Sequence, residues 1–303
     1  RTCSGIGDAI PTVLTMTVVP ILGAGSSMAD YRIGFKWWAL IIAVVFVISE
    51  LVCVACVPER PVACDEKPGK ISDMFKALFK NDQAMTVVVS IILVYTSLNI
   101  CGNLVLYFFR FDVGNEGAYS IFAAVAFAAQ VLVMMVIPLL RKRFSKSQLF
   151  ISGFIIQIAG FAVILIMAFA KLYTPQSWYI LCLPGILIYL GYGMLNVIMT
   201  IFLSDSVDYG EVMNGTREES VIFSMQTFTV KLASGVAVFL AGLVVDWIHL
   251  DTAAAVQTQD TLDALRMWMT IPSVILLIVG IFVFKRFYKL DDTRMEEIKS
   301  KLN

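Results

Sequence analysis

The sequence predicts an all-α, polytopic membrane protein with eight transmembrane helices, and three observations carry that prediction. Hydrophobic residues make up 59% of the chain and charged residues 15%, with a mean hydropathy of +0.82; a domain surrounded by water carries about a quarter charged residues. Apolar runs of roughly the ~20 residues that span hydrocarbon recur along the chain. Lys and Arg are spread unequally between the connections on the two sides, as they are in membrane proteins with a fixed orientation.

The runs fall at residues 6–23, 35–57, 84–108, 118–140, 149–170, 178–202, 221–247 and 266–284, and are labelled α1 to α8 in chain order. Pro11 and Pro20 interrupt α1, the weakest of the eight. The chain opens on Arg1 without a basic-then-apolar signal segment, so it reads as lacking its natural start. Eight crossings leave both ends on one side. The connections on that side, with the tail, hold 16 Lys and Arg, and the opposite four hold 5, counting Lys36 and Arg266 at the edges of α2 and α8. Both ends are therefore expected in the cytoplasm of a multi-pass, monomeric protein of the cell membrane, a bacterial inner membrane in this reading.

The longest connection, residues 58–83, places Ile71, Met74, Phe75, Leu78 and Phe79 at helical spacing with Lys76 and Lys80 between them. That pattern predicts a short amphipathic helix on the cytoplasmic membrane surface. It separates residues 1–57, with two helices, from residues 84–284, with six; residues 285–303 form a charged cytoplasmic tail.

Several function classes are excluded early. A net charge of zero gives no field for nucleic acid. Cys53 and Cys56 form a C-x-x-C inside an apolar run, without a second pair, and His249 is the single histidine; neither a metal site nor a cofactor is expected. A membrane-embedded transferase lacks a Cys–His or Ser–His pair to work with, so no catalytic residue is named and the protein is read as a non-enzyme.

Polar residues at helical spacing inside a membrane must face protein or trapped water. α3 carries Thr96, Asn99, Asn103 and Tyr107; α6 carries Tyr189, Tyr192, Asn196 and Thr200; α7 carries Ser224, Thr227, Lys231 and Ser234, with Gln226 beside them. Three wet faces suggest a shared aqueous cavity, although helix–helix hydrogen bonding also accounts for the Ser and Thr. Lys231 tips the balance. It lies eleven residues past Ser220, ~16 Å into the membrane at about 1.5 Å per residue. An ammonium there costs on the order of 3 kcal/mol, so it needs water, a carboxylate or a hydroxyl-rich or anionic ligand. Glu50 of α2 is another charge within a run, seven residues before its end: a partner for Lys231, a proton carrier, or a group that reaches the cytoplasmic interface, the last being the plainer reading.

Residues 204–220 break the positive-inside trend with five acids and one Arg. Asp205, Asp208 and Glu211 stand three apart, so a helical continuation places them on one face. Asn214-Gly215 marks a turn, and Thr216-x-x-Glu219 is a capping-box pattern opening α7. The acids are expected to pair with Arg217, or with Arg141, Lys142 and Arg143, when the cytoplasmic side closes; a solvated acidic loop is the plainer alternative.

The stretch 204–211 (SDSVDYGE), followed by Arg217, Gln226-Thr227 and Lys231, resembles the glycoside–pentoside–hexuronide:cation symporter family of the major facilitator superfamily. Gly34-Phe35 at the start of α2, Lys80-Asn81-Asp82 before α3 and Arg286-Phe287-Tyr288 after α8 extend the resemblance over nearly the whole chain. It implies twelve helices in two six-helix bundles, with α1–α8 matching the fifth to the twelfth. It implies symport of a sugar or sugar acid with a monovalent cation, Na+ or H+, by alternating access. Gln226, Thr227 and Lys231 then match positions near the sugar, joined by Asn99, Asn103, Tyr192 and Asn196, while Asp205, Asp208, Glu211 and Arg217 match the cytoplasmic closing network. The family's cation site lies in helices before α1, so no cation ligand is named. Asn196 stands where melibiose-transporting members carry a tryptophan, which implies a different sugar; Arg1 and Asp8 compete for the position of a sugar-contacting arginine. A facilitator of lysolipid or another amphiphile is the rival reading, and the polar stripes argue against it.

Overall fold

The computed structural model describes residues 2–25, 28–56, 79–215, 219–252, 254 and 256–302, and among these it is all-helical, with nine α-helices. They are α1 (Thr2–Gly23), α2 (Met28–Cys56), α3 (Asp82–Tyr107), α4 (Ala118–Leu140), α5 (Lys146–Phe169), α6 (Cys182–Asn214), α7 (Glu219–Trp247), α8 (Gln259–Phe287) and α9 (Asp292–Leu302). Seven of them, α2 to α8, are long and apolar enough to cross a membrane. α1 is a helix where the eighth span was expected, but with Pro11 and Pro20 inside it, it is not among those seven. The amphipathic helix expected around Ile71–Phe79 rests on residues 71–78, outside the described residues, as do Arg1, Thr216, Arg217 and the side chain of Asp8.

The chain forms two compact units, one of residues Cys3–Gly69 and one of Lys70–Asn303 with Arg1–Thr2. Within the smaller, α1 and α2 are held close by Gly34, where a Cβ would lie 2.1 Å from the Val19 carbonyl oxygen. The Trp38 indole N–H donates to Thr15 Oγ1 at 2.8 Å and fixes their register. Cys53 and Cys56 are exposed and free on α2, and among the described residues no His, Cys, Asp or Glu group is arranged to hold a metal.

In the larger unit α3 and α6 are the interior helices, with 67% and 61% of their spans buried, whereas α7 has 28% and shows most of its surface. α3 packs against α6, α7 and α8; α5 lies along α6 and α8, and α4 along α6. Close approach of α5 and α6 depends on Gly153 and Gly191, where a Cβ on Gly191 would meet the Gly153 carbonyl oxygen at 2.5 Å. Phe150, Phe202, Phe284 and Tyr288 close the core at one end, with ring centroids 4.5–5.2 Å apart.

Two helices run further than the apolar runs indicate. α3 continues beyond Tyr107 as a π turn, Phe108–Val113, which ends at Gly114 in the left-handed region. Asp112 in that turn accepts from the Arg266 guanidinium of α8 through both oxygens, at 2.5 and 2.9 Å, and from the Tyr173 hydroxyl at 2.5 Å. Arg266 also reaches Asp263 at 2.7 Å, and the Arg266 and Asp112 side chains are 4% and 3% exposed. α6 continues through the acidic stretch to Asn214, and Gly215 (φ 72°) is its left-handed C-cap. The acidic stretch is thus the helical continuation and not the solvated loop: it forms the last three turns of α6, because no residue before Gly215 stops it and Asp205 finds a partner inside.

Removing one partner of a buried ion pair strands the other, at a cost of roughly 3–5 kcal/mol. Arg266→Ala is expected to lower the thermal midpoint in detergent by several degrees, and Asp112→Leu/Arg266→Met to lower it less. A single variant as stable as the parent would refute this account of the pair.

Candidate functional site

The sequence-derived candidates fall into three groups: an open polar face, a buried polar network behind it, and a charged latch at the Asp82 end of the bundle. Lys231 follows Glu219, the first residue of the 29-residue α7, by 12 positions, hence ~18 Å along the axis. It is exposed, and among the described residues no carboxylate pairs with it. The exposed surface of α7 divides into two strips by helical spacing. Ser224, Thr227, Lys231, Gly235, Val238 and Gly242 form one; Phe228, Leu232, Val236, Phe239 and Leu243 form the other. Open space lies before Gly235 and Gly242. The ammonium therefore stands on the small, polar strip, not among the bulky apolar side chains suited to lipid. Thr227 Oγ1 donates back to the Phe223 carbonyl at 3.3 Å, leaving its lone pairs outward. Gln226 lies on the inward face, 4% exposed.

On α3, Asn99 and Asn103 are half-buried beside Gly102, before which space is also open. Their amide N–H groups donate to the carbonyls of Tyr95 and Asn99, each at 2.7 Å, so the amide oxygens stay available as acceptors. Thr96, expected on the same wet face, is instead buried at 6% exposure, and Tyr95 takes its place one residue earlier. The Tyr95 hydroxyl accepts from Asn196 Nδ2 of α6 at 2.6 Å, the Tyr192 hydroxyl lies 3.4 Å from the same nitrogen, and the two tyrosine rings meet edge-on at 5.6 Å. Asn196 and Tyr192 are each 8% exposed. A polar trail thus runs from the interior, through Tyr95, to Asn99 and Asn103.

At the Asp82 end the acids and bases meet in a combination the spacing did not reveal. Asp205 pairs with Lys146 at 2.5 Å, both side chains buried. Lys146 also reaches Asp292 at the start of α9 at 3.4 Å, and Arg141 meets Asp292 at 3.3 Å. Of the expected partners, Arg141 therefore serves α9, and Lys146 takes the acid. Asp208 and Glu211 lie half-buried on the following turns of α6; Arg217 is outside the described residues. α3 is tied to α6 by Asn81, which caps α3 at Ala84 N–H (2.9 Å) and donates to the Ser206 carbonyl (2.7 Å). Gln83 bridges to the end of α8 and the connection after it, donating to the Phe287 carbonyl at 3.4 Å and accepting from Lys289 N–H at 2.8 Å. α9 docks through Leu290, Met295 and Ile298 against Tyr209, Val212 and Tyr288.

A family model described as MFS/sugar transport protein matches residues 2–292. The chain belongs to that family. It is a membrane sugar-transporter family of the major facilitator superfamily, not an enzyme family, as the resemblance implied. Among relatives, the raffinose carrier protein of Pediococcus pentosaceus is 24% identical over 309 residues, covering 100% of this chain and 47% of its own. The isoprimeverose transporter of Lactiplantibacillus pentosus is 25% identical, covering 94% and 58%, and a lactose permease of Lactobacillus helveticus is 22% identical, covering 88% and 42%. The chain thus spans about half the length of these relatives.

The latch has a pH signature. Burial raises the Asp292 carboxyl's pKa, but the Arg141 hydrogen bond and the charges of Arg141 and Lys146 outweigh it and hold the group below its ordinary value. A carboxyl depressed in the folded state contributes full stability above its unfolded pKa, about 4, and loses it as pH falls through the lower folded value. Amide protection in α9, taken relative to intrinsic exchange at each pH, is therefore expected to hold at pH 5 and above and to fall only below that range. Asp292→Asn should give fast exchange at neutral pH; an unchanged α9 in that variant would show that its apolar contacts alone hold it.

Proposed function

We propose that this chain forms part of a sugar:cation symporter that works by alternating access, with Lys231 as the polar group that grips the substrate at mid-membrane. The observation that carries the reading is the position of Lys231 on a strip with Ser224 and Thr227, half-way along a membrane-spanning helix and without a carboxylate partner among the described residues. A cation maintained at that depth needs a ligand or water. In this reading Thr227, Asn99 and Asn103 offer hydroxyl and amide groups to a glycoside, pentoside or hexuronide. Asn196, Tyr192 and Gln226 form the polar floor that orients them. An anionic sugar would take Lys231 as counter-ion; a neutral one would accept its hydrogen bonds.

The relatives named for raffinose, isoprimeverose and lactose support a glycoside-type substrate. Asp205, Asp208, Glu211 and Arg217 then serve as the closing network of the cytoplasmic end, where the Lys and Arg excess also puts both chain ends. Opening would separate part of that network, giving the two-state element that transport requires. Coupling demands that cation and sugar each favour the other's binding by the same free energy, with Na+ or H+ as the cation.

Uptake of labelled glycosides by the full-length protein in membrane vesicles tests the reading. Accumulation should collapse when the sodium and proton gradients are dissipated. Lys231→Gln should reduce it by roughly tenfold or more, since a hydrogen bond to a charged group contributes about 1.5–3 kcal/mol. Leu232→Ala, one residue away on the apolar strip, should change uptake less than about threefold, because its loss removes no polar contact. Thr227→Cys should react with a water-soluble maleimide and be protected by substrate. Full accumulation by Lys231→Gln would end the assignment.

A further inference from the structure

A second charged hollow lies away from the polar face, where the α4–α5 turn meets α9. Its volume is about 480 Å³, within the range that holds a small ligand or headgroup. Arg141 and Lys146 form its inner wall and are occupied by Asp292 and Asp205. Lys142, Arg143 and Lys299 form its outer wall, exposed and without an ion-pair partner among the described residues. Glu296 is the remaining acid on the rim, so the mouth carries net positive charge.

The position of this hollow along the bundle follows from the spans themselves. Arg141 comes directly after Leu140, where the α4 span ends, and Lys146 opens the α5 span. The hollow is therefore at the level where hydrocarbon gives way to water. Phe144, 47% exposed, stands in its wall. From it an apolar strip descends α4 through Leu139, Met135 and Leu132, exposed by 61%, 62% and 62%. A cationic mouth above a lipid-facing strip suits one molecule with a phosphate at one end and acyl chains at the other.

We infer that this hollow binds a phosphate-bearing anion, the headgroup of an anionic glycerophospholipid, with Lys142, Arg143 and Lys299 contacting the phosphate and α4 receiving the acyl chains. A free phosphate ester shares the headgroup's charge but has nothing to lay on Leu132, Met135 and Leu139. Because Arg141 and Lys146 form the inner wall, a bound lipid would sit against the same two cations that hold α9.

The test uses the full-length protein in phosphatidylcholine nanodiscs with phosphatidylglycerol added in increasing amounts, bound lipid being counted by native mass spectrometry. Retained phosphatidylglycerol is expected on the parent protein, with apparent affinity falling about fivefold per neutralised charge, hence roughly twenty-fivefold in Lys142→Gln/Arg143→Gln. These two residues are exposed and unpaired, so the variant should fold; Lys142→Arg/Arg143→Lys should restore binding. A charge-matched control outside the hollow, Lys285→Gln/Arg286→Gln, should bind as the parent does. Equal retention by the Lys142/Arg143 variant and the parent would overturn the site. So would an equal loss in the control, which would reduce the effect to bulk charge. Displacement of the lipid by glycerol 1-phosphate at comparable concentration would assign the hollow to a soluble phosphate and overturn the lipid.

Discussion

Hydrocarbon offers no hydrogen bonds, so each charge placed within a span needs its partner inside the protein or a wet surface of its own. The larger unit is organised by that constraint. Among the described residues two buried ion pairs lie at opposite ends of the bundle, Asp112–Arg266 joining α3 to α8 and Lys146–Asp205 joining α5 to α6. Between them the interior is mostly apolar; Ser90 and Thr270 donate to carbonyls one turn back, while the buried Gln157 amide has no hydrogen-bond partner among the described residues. Breaking either pair would strand a charge where solvent cannot reach it, so each acts as a clamp whose removal is costly even if its formation contributes little.

The two clamps differ in what surrounds them. Asp112 is saturated by Arg266 and Tyr173, and burial together with that carboxylate pushes the Tyr173 phenol upward, so the hydroxyl remains a donor. Lys146, by contrast, is shared between Asp205 on α6 and Asp292 on α9. A shared cation can follow either acid when the helices shift, and Asp292 is accessible enough for water to replace it. The end with the divided lysine is the one suited to rearrangement, and the saturated end is suited to staying fixed.

Hydropathy makes the seven spans and their order legible, and the 204–211 stretch with Gln226-Thr227 and Lys231 makes the family legible, because those signals are local. The clamps were not legible for the opposite reason. Asp112 and Arg266 lie 154 positions apart, so a window centred on either sees a charge and ends the helix. The apolar runs therefore end at Phe108 and Phe202, the second where Ser204 and Asp205 lower the hydropathy, although both helices continue. Lys146 carries no signal of its own, since nothing near it in sequence announces Asp205. The stripe on α3 differs by one residue at its start: Thr96 is buried, whereas Tyr95, whose ring passes as core, shares the i, i+4, i+8 row with Asn99 and Asn103. Lys231 stood out without any partner, because depth alone makes an ammonium conspicuous.

α6 connects these observations mechanically. Tyr192, Asn196, Asp205 and Tyr209 lie on one uninterrupted helix of 33 residues, and Asn196 is nine residues from Asp205, ~14 Å along the axis. At one height this helix touches the polar trail that leads to the open face; at the other it holds the lysine shared with α9. A packed helix moves as a rod more readily than it bends, so a ligand that drew on the Tyr95–Asn196 network would displace the Asp205 end as well. In the proposed transporter, occupancy at mid-membrane and the state of the latch would then be linked by a rigid body, without a chain of intermediate side chains to carry the signal.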